Sequence, residues 1–180
     1  MVCMVLKLTV MKTIEINLYK FEELSEEAQN AALSKNADIL TNLNWWEDTY
    51  YDAKETSGLI LLGFDIDRDN YCNGKFQFTA IEAAELIVKN HGETCESFKM
   101  AKQYVADYYT IQNRYAAGID NEYDIDADSD GVEENFLNEL LGYYLELLKK
   151  EFEYLTSDEA IKETLVSNEY DFTAEGEMYL

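Results

Sequence analysis

The sequence contains a single histidine, three cysteines and no proline. With His91 alone no histidine-based metal site is expected, and the sequence suggests no Ser/His/Asp or Cys/His catalytic set beyond chance. Cys3, Cys72 and Cys95 lack metal-ligand spacing and cannot all pair within one chain, which predicts a reduced, cytoplasmic protein. Glycine-rich phosphate loops are missing, and the absence of proline carries no functional information. The sequence gives no case for an enzyme.

Basic residues are also scarce: 14 Lys and Arg stand against 37 Asp and Glu, for a net charge of −23. This imbalance excludes ordinary binding to nucleic acid or to an anionic membrane and favours basic partners. The charge is uneven along the chain. Residues 1–119 hold 18 acids and 11 bases, a balance of −7, whereas residues 120–180 hold 19 acids and 3 bases, a balance of −16.

What the sequence does contain is enough apolar material to fold. Of its 180 residues, 47% are hydrophobic and 13% aromatic, which predicts one domain over 1–180 rather than a disordered acidic chain. The apolar residues 1–10 are too short for a membrane span or a signal peptide. A start-site extension is one interpretation of them, because Met11 opens a cleaner strand pattern.

The local patterns predict an α+β fold, with a small antiparallel sheet packed with five or six helices. Strands are expected at 13–21, as a pair within 59–79, and at the C-terminal end. Helices are expected from Ser25 to Leu40, from Asn44 to Gly58, from Thr79 to about 92, from about 98 to Gly118, over 136–155 and over 157–167. Capping boxes are predicted at Asn44/Glu47, Thr79/Glu82 and Thr156/Glu159.

The acidic segment 119–134 is the main functional candidate, because six acids alternate along it without a basic residue. In an extended chain alternate side chains share one face at a repeat of about 6.6 Å. Such a row could imitate a nucleic-acid backbone and bind a groove lined with Lys and Arg. The predicted partner-binding residues are Asp120, Glu122, Asp124, Asp126, Asp128, Asp130, Glu133 and Glu134.

Two other interpretations of this segment remain open. Asp126, Asp128, Asp130 and Gly131 match the start of a D-x-D-x-D-G calcium loop, which would make Ca²⁺ the cofactor. The match is partial, because position 12 is Leu137 rather than a bidentate Glu. Alternatively, the segment is a solvated loop of no special purpose, since Asp favours loops.

The remaining candidate residues have simpler explanations. His91, next to Gly92, is expected to cap a helix, and the alternating Asp65, Asp67 and Asp69 to be solvated in a turn. Trp45 could be an exposed interface anchor, whereas Trp46 and Tyr50 are expected in the core. Four tyrosines on helical faces could form a dimer or complete the core: Tyr108, Tyr109, Tyr143 and Tyr144.

Three stretches carry a resemblance: YKFEELSEEAQNAAL at 19–33, NWWEDTYYDAKE at 44–55, and EFEYLTSDEAIKETLVSNEYDFTAEGE at 151–177. They resemble small, mostly uncharacterised proteins of phages and mobile elements of Gram-positive bacteria. The resemblance implies a bacterial host cell and a setting in which inhibitors of host defence, such as anti-CRISPR proteins, occur. It covers about a third of the chain, carries no site residue, and leaves the acidic segment uninterpreted.

The combined prediction is a non-enzymatic inhibitor of a DNA-targeting defence nuclease. The specific hypothesis is a DNA mimic that occupies a basic surface of Cas9 bound to guide RNA, without itself binding nucleic acid or membranes. The alternatives are a calcium-binding module and an acidic, antitoxin-like partner of a basic protein.

Overall fold

The computed structural model describes residues 15–119 and 121–179 of the chain. Over these residues it shows an α+β protein with helices and two small antiparallel sheets, which confirms the predicted class. These described residues divide into two compact units, one formed by residues 15–39 and 156–179 and the other from within residues 40–155. None of the helices within the described ranges is long and apolar enough to cross a membrane.

The unit built from the two ends of the chain contains a three-stranded sheet, two α-helices and a short 3₁₀ helix at Phe21–Glu23. Strand β1 (Tyr19–Lys20), β4 (Asp171–Phe172) and β5 (Met178–Tyr179) lie in the order β1-β4-β5, antiparallel throughout. Helix α1 spans Glu26–Lys35 and helix α6 spans Asp158–Ser167. Their apolar faces bury Ala28, Ala32 and Leu165 with the sheet residue Phe172. The predicted C-terminal strand is thus a hairpin that also pairs with β1.

Three predictions for this unit need correction. Strand β1 covers only 19–20, because 15–18 form no ladder; residues 13 and 14 lie outside the described residues. Helix α1 begins after its predicted cap, Ser25, but ends at Lys35 rather than Leu40, with the amide of Asn36 closing its last turn. Helix α6 is capped by Ser157, whose Oγ accepts from the amide of Ala160 at 3.3 Å, and not by Thr156.

The unit formed by residues 40–155 contains four helices and a hairpin. The helices are α2 (Glu47–Ser57), α3 (Ala80–Asn90), α4 (Glu96–Ala116) and α5 (Glu122–Leu155), and the hairpin pairs β2 (Leu59–Asp65) with β3 (Tyr71–Phe76). Side chains from every one of these elements meet in one core: Ala53, Leu59, Phe76, Ile87, Tyr104, Phe136, Leu140 and Tyr144.

Several of the local signals in this unit are confirmed. Gly58 ends α2 in the left-handed conformation at φ 60°, which a residue without Cβ adopts at no cost. Thr79 and Glu82 form the predicted capping box at the start of α3. Asn44 does donate to the Glu47 carboxylate at 2.7 Å, but the N-cap of α2 is Trp46, two residues later than predicted.

The largest departure from the sequence predictions concerns the acidic segment. It is neither an extended strand nor a loop, because the 34-residue helix α5 begins at Glu122 and continues through the segment to Leu155. The long helix predicted over 136–155 is therefore present, but it starts four turns earlier. Asp120 lies outside the described residues.

Candidate functional site

The start of α5 is fixed by Asn121. Its side-chain oxygen accepts from the amide of Asp124 at 3.0 Å, and its side-chain amide donates to the Asp124 carboxylate at 2.6 Å. The Asn121 carbonyl then accepts the first helical bond, from the amide of Ile125 at 3.2 Å. Glu122 and Asp124 occupy the first turn, where the positive end of the helix dipole stabilises carboxylates. Asn with an acid three residues later is a capping signal that could have revealed this helix.

A stripe of buried and half-buried apolar residues explains why the acidic sequence is helical. Ile125, Val132, Phe136 and Leu140 recur at helical spacing, and Phe136 stacks on Tyr104 of α4 with ring centroids 4.5 Å apart. Burying one large apolar side chain contributes about 1.5–3 kcal/mol. Repulsion between like charges four residues apart costs about 0.2–0.5 kcal/mol per pair. Packing against α4 therefore outweighs the repulsion.

Helical geometry sorts the acids into two rows. The first acidic row consists of Glu122, Asp126, Asp130 and Glu134, spaced by four residues and all exposed. The second acidic row consists of Asp124 and Asp128, also exposed. Neighbours four residues apart lie on one face, about 6 Å apart along the axis. The predicted single row of six is wrong, because positions two apart on a helix point in nearly opposite directions, yet each row keeps a similar repeat.

Glu133 lies beside the first row, close to α4. Burial raises the pKa of Tyr104 to about 12, and the negative charge of Glu133 makes a smaller contribution in the same direction. On the other side, Arg114 of α4 reaches Asp128 at 3.5 Å, with both side chains about half exposed. Such an exposed pair contributes at most about 1 kcal/mol. From residue 121 to residue 148 the chain itself carries no Lys or Arg.

The calcium-loop geometry is not formed. Asp126 and Asp130 lie in the first row and Asp128 in the second, and Gly131 continues the helix rather than turning the chain. A calcium loop converges its oxygens on one point, which a helix prevents for residues two apart. Within 15–119 and 121–179 no group of three or more His, Cys, Asp or Glu side chains is arranged to hold a metal ion.

Sequence reasoning missed a buried polar cluster in the 40–155 unit. His91 caps α3 as expected, and its ring nitrogens lie 2.6 Å from Ser97 Oγ and 2.8 Å from Thr56 Oγ1. Ser57 Oγ lies 2.7 Å from the hydroxyl of Tyr144, which donates to Asp52 at 3.2 Å. Ser57 and Ser97 are fully buried, so no substrate reaches their hydroxyls. The cluster joins α2, α3, α4 and α5 and is structural.

The other candidate residues also have structural roles. Asp65 Oδ1 accepts from the amides of Asp67 and Arg68 at 2.8 and 2.9 Å, which holds the hairpin turn and lowers the pKa of this carboxyl. Trp45 is half-buried, with its ring 5.6 Å from that of Phe64 and 5.5 Å from that of Phe152. Trp46 and Tyr50, predicted in the core, are half-buried around the same Phe64 ring.

The four tyrosines that were considered for a dimer differ in how exposed their side chains are. Tyr144 is fully buried, whereas Tyr109 is 51% exposed. Tyr108 and Tyr143 are half-buried and border the core. Tyr144 thus completes the core, and the dimer stays a prediction.

Comparisons with protein families, characterised proteins and solved structures find no match to this chain. The resemblance to phage proteins therefore stays an expectation, and the acidic rows are the feature of this chain that points to a function.

Proposed function

We propose that this protein is a non-enzymatic inhibitor that binds the basic, nucleic-acid-binding surface of a DNA-targeting nuclease through the acidic start of α5. The observation that supports the proposal is the pair of exposed acidic rows on one helix, in a stretch without Lys or Arg. A Cas9-type effector carrying its guide RNA is the specific target, because it reads DNA through Arg residues and a positive channel.

A helix suits this role better than the loop or strand that the sequence suggested. The helix backbone that carries its carboxylates is ordered before binding, since Asn121 fixes the first turn and the apolar stripe ties the helix to α4. Less conformational freedom is then lost on association. Repulsion among the carboxylates is relieved when Lys and Arg of the partner approach. Steering by the −23 charge should make association fast and sensitive to salt.

The test is cleavage of target DNA by guide-loaded Cas9 with this protein titrated in, at low and moderate salt. A gel shift of the same complex reports whether DNA binding is lost. Inhibition near one equivalent that weakens with salt is expected, together with loss of DNA binding. No effect at large excess under either salt would reject Cas9 as the target, and a pull-down for basic partners would then test the antitoxin-like alternative.

A row variant identifies the surface. Glu122→Gln, Asp126→Asn, Asp130→Asn and Glu134→Gln together remove four charges from the first acidic row. The matched control removes four exposed acids elsewhere: Glu85→Gln, Glu93→Gln, Glu163→Gln and Glu175→Gln. Inhibition should fall at least tenfold in the row variant and about twofold or less in the control. Equal losses would mean that total charge, and not this helix, determines binding.

A further inference from the structure

A groove runs along the side of α5 that carries the second acidic row. Helices α4 and α5 are antiparallel, as the contacts of Arg114 with Asp128 and of Tyr104 with Phe136 show. Between them lies a groove of about 450 Å³. Its floor is apolar, formed by Met100, Val132 and Phe136.

The rim of this groove is made of carboxylates and amides. Gln103 and Asp107 lie on the α4 side, and Asn135 and Glu139 on the α5 side. Gln103 Nε2 donates to both oxygens of Asp107 at 3.0 Å, so the Gln103 carbonyl oxygen remains as an acceptor. The side chains of Asn135 and Glu139 have no hydrogen-bond or ion-pair partner within the described part of the chain. The rim therefore presents acceptors and two negative charges.

The groove lies about two helical turns from the Arg114–Asp128 ion pair, along the same pairing of α4 with α5. Asp107 precedes Arg114 by seven residues on α4, and Asn135 follows Asp128 by seven on α5. Seven residues are about two helical turns, so Asp107 and Asn135 face each other as Arg114 and Asp128 do. No Lys or Arg lines the groove. Lys99, one turn before Gln103, is paired with Glu96 at 2.5 Å.

We infer that this groove receives an arginine side chain from the basic partner. An apolar floor accommodates the aliphatic stem, while carboxylate and amide oxygens on both rims accept from the five N–H donors of the guanidinium. A lysine ammonium is a compact point charge with three N–H donors, so it can satisfy fewer of these acceptors. The inference deepens the proposed function and rests on it for the identity of the partner, but the groove can be tested without any nuclease.

The probe is an acetylated, amidated hexa-arginine peptide, compared with hexa-lysine of equal charge, in an NMR titration of the ¹⁵N-labelled protein. Side-chain NH₂ signals of Gln103, Asn135 and Asn138, which also lines the groove, should shift. Hexa-arginine should bind at least fivefold more tightly than hexa-lysine. Equal affinities, or shifts spread evenly over the acidic surface, would overturn the inference. Displacement of hexa-arginine by an equal concentration of spermine would also overturn it and indicate a polyamine site.

A matched pair of variants tests the location. Asn135→Lys places a cation at the groove and should lower hexa-arginine affinity about tenfold. Asn30→Lys makes the same chemical change on an exposed face of α1 and should alter it less than twofold. Similar losses in both would show that only net charge matters. The row variant described above should still bind hexa-arginine more tightly than hexa-lysine. If the protein inhibits no nuclease, this preference should remain; if the groove does not bind arginine, the preference should be absent whatever the nuclease assay shows.

Discussion

The hydroxyl of Tyr144, on α5, lies 2.7 Å from the hydroxyl of Ser57, the last residue of α2. Both side chains are fully buried, and Tyr144 also donates to Asp52 at 3.2 Å. Burial raises the pKa of the Tyr144 phenol, so it remains a neutral donor at any physiological pH. A buried hydroxyl without a partner is costly, and this contact therefore fixes how α2 docks on α5.

Removing one member of this pair should destabilise the protein. Tyr144→Phe removes the 2.7 Å partner of the Ser57 hydroxyl and one of the two hydroxyl donors to the Asp52 carboxylate, the other being Thr56. It should lower the free energy of unfolding by about 1–3 kcal/mol in urea denaturation. Tyr109→Phe, at a tyrosine that is 51% exposed, is the control and should change it by about 0.5 kcal/mol or less. Adding Ser57→Ala to Tyr144→Phe should cost less than the two single changes together. Strict additivity would contradict a direct bond.

His91 should make stability depend on pH. Burial lowers the pKa of this imidazole below its usual value of about 6.5, and the negative charge of Asp52 offsets this only in part. Between the lowered pKa and about 6.5 the unfolded chain therefore binds more protons than the folded protein. Stability should consequently rise with pH through this window, reach its full value above it, and be lost as the pH falls.

Urea denaturation at several pH values between about 5.5 and 7.5 measures this slope, since the window lies just below the usual histidine pKa. His91→Gln is the comparison, because glutamine keeps a donor and an acceptor near Ser97 and Thr56 but does not titrate. Its stability should be lower overall and nearly flat over the same window. An unchanged slope in the variant would assign the pH dependence to other groups.

Gly131 distinguishes the helix from the calcium loop. It lies inside α5, where an added Cβ meets no atom within 4 Å. Alanine is favoured over glycine within a helix, so Gly131→Ala should stabilise the protein by about 0.5–1 kcal/mol. In a calcium loop the same glycine makes the sharp turn, and alanine would be destabilising. Gly142→Ala, also within α5 and with equally open surroundings, is the internal standard and should show the same gain. A loss at Gly131 beside a gain at Gly142 would contradict the helical segment.

The sequence predicted those parts of the fold that depend on neighbouring residues. Thr79 and Glu82 cap a helix through contacts three residues apart, and Gly58 ends one through its own backbone, so both signals can be read locally. The acidic segment could not be read this way. Its helix depends on the burial of Ile125 and on the stacking of Phe136 against Tyr104 of α4, and this distant packing overrides the low helix propensity of Asp.

The site shows the same division between local and distant information. The residues of the acidic rows were identified correctly as an exposed acidic surface. Their predicted arrangement was wrong, because it assumed the two-residue repeat of a strand instead of the helical repeat of α5. Ser57 and Tyr144 are 87 residues apart in sequence, and no spacing connects them. The groove likewise could not be predicted without the pairing of α4 with α5, because it is this pairing that brings Asp107 and Asn135 to the same groove.

Repulsion within the first acidic row should lower the free energy of unfolding of the free protein. Asp126→Asn with Asp130→Asn removes three like-charge contacts at four-residue spacing and should raise the free energy of unfolding by about 0.6–1.5 kcal/mol at low salt. The gain should shrink in 0.5 M NaCl, where exposed charges are screened, which comparison of urea midpoints at the two salts would show.

The control pair for the row is Asp48→Asn with Asp158→Asn. It makes the same change in composition and charge, but these acids lie in the first turns of α2 and α6, where they favour the helix dipole. Neutralising them should therefore destabilise the protein. If both pairs stabilise it equally, relief of the total charge of −23 accounts for the gain, and the row has no special strain. If only the row pair stabilises the protein, then the first acidic row carries a charge repulsion that the fold itself does not need. Such a repulsion is what we expect of a surface that binds a basic partner.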